Sequence, residues 1–220
     1  FGAAGAMELV ALAMQAHPGA VGVQGAACAA LQNLACGSQE ACAAAVAAGA
    51  VELVLAAMQG HAGDSTLQAL ACTALQGCVA EDAALRGRVV ALGGAELVLR
   101  MLAALPKAAA AQEHGCALLC QLCQQSEESR ERIKQRGGVE AVLHAVEVHL
   151  AAAGEGHCGV FAAAASEGGE ACHVRVRPIR SASLVLDAMR AFPTEPKVQA
   201  LGCARLARLA RGRGALGVAR

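Results

Sequence analysis

Glycine stands at positions 5, 49, 93 and 137 of this chain, each 44 residues after the one before, and it opens the same phrase each time. Gly49-Ala50-Val51-Glu52-Leu53-Val54 is echoed by Gly5-Ala6-Met7-Glu8-Leu9-Val10 and by Gly94-Ala95-Glu96-Leu97-Val98. Gly138-Val139-Glu140-Ala141-Val142 follows it more loosely. A second signature keeps the same interval: Gln24, Gln68 and Gln112 each precede a cysteine by four, at Cys28, Cys72 and Cys116. A period of this length belongs to helical solenoids, whose units bury their apolar faces only by stacking on neighbours. The expected fold is therefore all-α, an array of recurring helices with no chemistry of its own.

Composition agrees. The chain has 220 residues, 56% of them hydrophobic, but only three Phe and neither Tyr nor Trp. Alanine, the strongest helix former, dominates, so the core must be close-packed from small side chains. Net charge is zero but unevenly spread: residues 1–125 hold four basic and eight acidic side chains, the remainder fourteen and ten. The basic C-terminal part suits an acidic protein, a membrane surface or RNA, or is simply a solvated face. Eleven cysteines are an odd number in a long chain without a small-domain disulfide layout. They read as reduced core residues, which places the protein inside the cell, in the cytoplasm or in an organelle or cilium. Residues 9–39 lack Asp, Glu, Lys and Arg, yet Gln15, Pro18, Gln24, Gln32 and Asn33 interrupt them, so no membrane span is expected. Phe1 is no initiator methionine and the first unit starts partway through, which implies a piece of a longer protein.

One full unit shows the plan. Ser38 caps a short first helix reaching about Ala48, and Gly49 ends it in the left-handed conformation. A second helix, Ala50 to about Gln59, carries Glu52 in its first turn and an apolar stripe of Leu53, Val54, Ala57 and Met58. After a loop capped by Asp64 or Ser65, a third helix runs from Thr66 to Val79, burying Leu67, Cys72, Leu75 and Cys78. The same plan gives helices 6–16, 21–35, 82–91, 95–105, 108–124, 127–136 and 139–150. The pattern then frays over 151–166, where Phe161 takes a third-helix position, and 167–180 is expected to be irregular. It resumes at Leu184-Val185-Leu186 and ends at Cys203 and Leu206, with 211–220 as a disordered basic tail. A single domain over 1–210 follows, in units of about 1–36, 37–80, 81–125, 126–166 and 167–210.

The third-helix phrase Val23-Gln24-Gly25-Ala26-Ala27-Cys28-Ala29-Ala30-Leu31-Gln32-Asn33-Leu34-Ala35, with the glycine hinge between first and second helices, resembles the armadillo repeat. HEAT repeats are the near alternative, and the hinge favours armadillo. The resemblance covers residues 5 to 150 well and 181 to 210 passably. It implies a right-handed superhelix whose third helices line a concave groove for extended peptides or partner proteins. In peptide-binding members the third helix presents a Trp and, four residues on, an Asn. The matching pairs here are Ala29 and Asn33, Thr73 and Gly77, Ala117 and Gln121, Phe161 and Ala165, and Ala204 and Arg208. With no Trp and one Asn, import-receptor-like binding is not implied. The groove candidates become Ala29, Asn33, Thr73, Gly77, Ala117, Gln121, Arg208 and Arg211.

Other constellations are weaker. Cys116, Cys120 and Cys123 beside His114 have soft-ligand chemistry, but C-x-x-C within a helix is not a metal knuckle. His157-Cys158 and Cys172-His173 lack a supporting carboxylate pattern, and Gly154-Glu155-Gly156 and Gly168-Gly169 have no phosphate-loop context. Gln24, Gln68, Gln112 and Gln199 lie on the flank of the third helix and are expected to bond neighbouring backbone. Ser126 to Arg136 reads as a capped, solvated first helix. The sequence thus predicts a non-catalytic protein-interaction scaffold with no cofactor, metal or small-molecule substrate, its partners a protein or adjoining subunits. The alternatives are a peripheral subunit of a ciliary, ribosomal or membrane complex and, second, a helical-repeat RNA binder using the basic end.

Overall fold

A computed structural model describes residues 3–35, 39–80, 82–124, 126–152, 160–163, 172–175 and 181–215. Ser38, Ala165, the glycine pairs at 154–156 and 168–169, the His157-Cys158 pair and residues 216–220 lie outside this set. The described chain is overwhelmingly helical, and its helices recur in fixed order. The first unit supplies α1 (Ala3–Ala16) and α2 (Val21–Ala35). The second supplies α3 (Gln39–Ala47), α4 (Ala50–Gly60) and α5 (Ser65–Val79). The third supplies α6 (Ala83–Ala91), α7 (Gly94–Ala104) and α8 (Ala109–Cys123), and α9 (Glu127–Gln135) and α10 (Gly138–Ala152) begin a fourth.

The 44-residue glycine has a conformational cause. Gly49, Gly93 and Gly137 sit at φ 73°, 79° and 83°, the left-handed region that a Cβ disfavours. Each ends a first helix: Gly49 N–H donates to Val46 O, Gly93 N–H to Val90 O and Gly137 N–H to Lys134 O. At Gly49 the chain turns by 64° from the Glu40–Ala47 helix into the Ala50–Gly60 helix. Gly5 differs: it lies within α1, where nothing would meet an added Cβ.

Third helices stack side by side, α2 on α5 and α5 on α8, and second helices stack behind them. Small residues set the approach: a Cβ on Gly25 would meet Leu70 Cδ1 at 3.6 Å, and one on Gly115 would meet Met101 Cε at 2.7 Å. Leu67, Cys72, Leu75 and Cys78 are buried as the periodicity predicts, as are Val54, Ala57 and Met58, while Leu53 is half-buried. The expected caps are present at Asp64, whose side chain accepts from Leu67 N–H, and at Ser126, which accepts from Ser129 N–H. Among the described residues no single helix is long and apolar enough to cross a membrane.

The plan departs from expectation after α10. Helix α10 runs to Ala152, and the segment expected to hold a frayed third helix instead contains strand β1 (Val160–Ala163). It pairs antiparallel with β2 (Cys172–Arg175), Phe161 opposite Val174, so Phe161 is not a third-helix residue. Valine and phenylalanine between glycine-rich stretches favour the strand. Helix α11 (Ser181–Ala191) then packs against α8, as α5 does against α2, and α12 (Pro196–Ala215) packs on α11. The tail expected from 211 is helical as far as Ala215, since Arg, Leu and Ala carry the helix past Gly212 and Gly214.

The hinge makes a prediction. Gly93→Ala forces a left-handed alanine and should lower stability by about 1–2 kcal/mol. Gly5→Ala, at the same repeat position but within a helix, should be neutral or stabilising by about 0.5 kcal/mol. Urea denaturation of the two variants reads the difference.

Candidate functional site

The third-helix face is built on an unusually complete satisfaction of helix C-termini. Gln24 Nε2 donates to Met14 O and His17 O, both at 2.9 Å. Gln68 Nε2 donates to Met58 O at 2.7 Å and His61 O at 3.1 Å. Gln112 Nε2 reaches Leu102 O at 2.6 Å and Leu105 O at 3.1 Å. Gln199 Nε2 reaches Met189 O at 2.9 Å and Phe192 O at 3.1 Å. In every case one third-helix amide ties down two carbonyls at the end of the preceding helix, the second of which also accepts a backbone N–H from the turn that follows. The repeated glutamine is structural, as expected.

Two further recurrent devices were not foreseen. Arg86, itself buried, donates through Nη1 to Val79 O at 2.7 Å and Ala80 O at 2.8 Å, closing the end of α5. Arg130, 44 residues later, donates to Cys123 O at the end of α8, and Cys42, 44 earlier, donates through Sγ to Ala35 O at the end of α2. The second device joins units: Arg88 Nη2 pairs with Glu52 Oε1 at 2.6 Å, and Arg132 Nε with Glu96 Oε1 at 3.0 Å. Arg136 shares the same Glu96 oxygen at 3.1 Å. The first-turn glutamates thus face the next unit's first helix besides sitting at a helix N-terminus. The signal was present as Glu52 and Glu96 set against Arg88 and Arg132 at the same period, but the arginines read only as surface charge.

The sequence-predicted groove residues divide into two groups. Ala29, Thr73 and Ala117 are buried in the continuous core, and Thr73 Oγ1 donates back to Leu70 O at 2.8 Å. Residues 67 through 75 are buried without a break, more than two helical turns, so α5 is covered on every side along its middle. Strand β1 approaches α2. The floor inferred for these three positions is therefore closed. Asn33 is exposed and Gly77 and Gln121 are half-buried, all towards the C-terminal ends of their helices. A Cβ on Gly77 would stand 3.9 Å from Gln32 O and 4.0 Å from Ala35 Cβ, which brings the ends of α2 and α5 together. Arg208 and Arg211 fall on α12.

At these ends the sequence reading missed Gln32 and Gln76, one position before the expected pairs and 44 residues apart. Gln76 Nε2 donates to His114 O on α8 at 2.5 Å. Gln32 Oε1 and Gln121 Oε1 are buried and have no hydrogen-bond partner. The helix ends therefore form an amide-rich edge with acceptors to spare.

The buried cysteines of the described helices are shifted away from the thiolate. Burial pushes the Cys28, Cys78, Cys116 and Cys123 thiols up to about 12, and that of Cys120 well up. Protonated thiols are poor nucleophiles and poor metal ligands. Among the described residues no three His, Cys, Asp or Glu side chains gather to hold a metal, and Cys28, Cys42, Cys72, Cys78, Cys116, Cys120, Cys123 and Cys203 form no disulfide. Comparison with protein-family models, curated proteins and solved structures gives no match to this chain.

Two adjacent side chains on α8 titrate in opposition. Burial lowers His114 from 6.5 to about 4, while burial raises Glu113 from 4.5 to about 7. Between pH 6.5 and 4 the unfolded chain takes up a proton at His114 that the folded protein does not, so acid destabilises. Between pH 4.5 and 7 folded Glu113 keeps a proton that the unfolded chain has lost, so rising pH destabilises. Removing one side uncovers the other. Relative to the parent, Glu113→Gln should steepen the loss of stability from pH 6.5 down to 4. His114→Gln should instead show stability falling as pH rises from 4.5 to 7, both read by urea melts across pH.

Proposed function

We propose that this chain is a non-catalytic interaction scaffold of the armadillo type, which holds a protein partner along the C-terminal ends of its third helices. The observation that carries the proposal is the unpaired amide acceptor of Gln32 next to exposed Asn33 at the end of α2, with a second such acceptor, Gln121, at the corresponding end of α8. Backbone N–H groups and side-chain donors of a partner complement such an edge, since a buried acceptor without a partner costs about 1–3 kcal/mol. The glycine turn between first and second helices and the side-by-side third helices support the armadillo type over other helical repeats. Protonated, unpaired thiols suit a reducing compartment inside the cell.

One observation favours a second reading, a bracing subunit of a larger assembly. Leu9 and Leu12 on α1 are each 58% exposed, whereas Leu97, two periods after Leu9, is 7% exposed beneath the preceding unit. A neighbouring subunit or a further unit seated on α1 would bury them.

Site-specific photo-cross-linking separates these readings. A photoreactive residue at Asn33 or Gln121 should capture the partner, whereas the same residue at Ala56 or Ala103, exposed on second helices, should not. Capture only from Leu9 and Leu12 would transfer the assignment to the bracing role, and capture of RNA rather than protein would end both.

A further inference from the structure

A cavity of about 420 Å³ opens at the seam between the second and third units, away from the third-helix edge. Its walls come from α4 and α7: Met58, Leu97, Met101 and Ala104 supply an apolar lining, and Arg100 stands at the same opening. Its inner wall includes Gln68. That glutamine is 1% exposed and its Nε2 is committed to Met58 O and His61 O, so the amide cannot turn. Its Oε1 is buried and has no hydrogen-bond partner. The corresponding oxygens of Gln24, Gln112 and Gln199 are not left in this state among the described residues.

The cavity therefore combines a flexible methionine-lined apolar wall, an immobile neutral acceptor and a guanidinium. The cation is particular to this seam, because the residue 44 positions before Arg100 is Ala56 and the one 44 after is His144. Pockets of this size with a few convergent polar groups take small molecules. Methionine adapts to irregular apolar shapes, and a guanidinium prefers a carboxylate.

We propose that the α4–α7 seam binds a small apolar carboxylic acid bearing one N–H or O–H donor. The apolar body packs between Met58, Leu97 and Met101, the carboxylate pairs with Arg100, and the donor meets Gln68 Oε1. Because α4 and α7 belong to different units, the ligand ties two units together where the Glu52–Arg88 pair already links them.

The test uses the whole chain labelled with ¹³C at its five methionine methyls, and indole-3-acetate as the probe acid. Saturable shifts of Met58 and Met101 are expected, with Met7, Met14 and Met189 unmoved. 1-Naphthaleneacetate keeps the shape and carboxylate but lacks the N–H donor, and should bind about tenfold more weakly. Arg100→Gln should cost about tenfold for indole-3-acetate, and Ala104→Phe, at an exposed cavity-lining position, should remove binding while leaving the thermal melt intact. The absence of saturable Met58 and Met101 shifts at millimolar probe would overturn the site. Equal affinity for the two acids would overturn the role of Gln68, and an Arg100→Gln variant that binds like the parent would overturn the role of the cation.

Discussion

Each helix in this chain ends in carbonyl oxygens that its own turns cannot satisfy, and the architecture is organised around meeting that need. First helices end on a left-handed glycine, second helices on a third-helix glutamine, and third helices on an arginine or cysteine from the next first helix. An unsatisfied buried carbonyl costs more than a made hydrogen bond returns, so these bonds select one docking geometry among the many that a small-residue core permits. Packing of leucine, valine, alanine and cysteine supplies the burial but little directional information. The side chain-to-carbonyl bonds supply the register.

The small core has a second effect. With Phe192 the one aromatic buried among the described residues, helices approach closely enough that a Cβ on Gly115 or Gly202 would collide with a methionine of the neighbouring helix. Cysteine fits these slots as a compact apolar residue. Burial pushes the thiols of Cys28 and Cys116 up to about 12, which favours their protonated form.

Much of the fold was legible in advance because its signals are local and periodic. The glycine turn, the Asp64 and Ser126 caps and the alternation of short and long helices all follow from residues within a turn or two of the feature. Gln24 and its counterparts were placed correctly as backbone ligands for the same reason. What escaped was cross-unit chemistry. Arg130 read as part of a solvated helix and Arg86 carried no reading, yet Arg86 is buried against Val79 and Ala80 and Arg130 reaches Cys123. The groove line at Ala29, Thr73 and Ala117 was carried over from the armadillo resemblance, which cannot reveal what packs around these helices in this chain. The β1–β2 hairpin was missed because a third helix was due there by count, although the valines and flanking glycines argued otherwise.

The reach of the carbonyl-tying bonds explains how the chain absorbs the stretch between α10 and α11. A third-helix glutamine looks back only ten and seven residues, and the arginine device only seven and six. Nothing in that wiring measures distance to a remote unit. Gln199 accordingly makes the same pair of bonds after the interruption as Gln112 does before it. The chain is thus wired like a row of clasps rather than a single woven cord: foreign sequence slipped between two clasps leaves each of them shut.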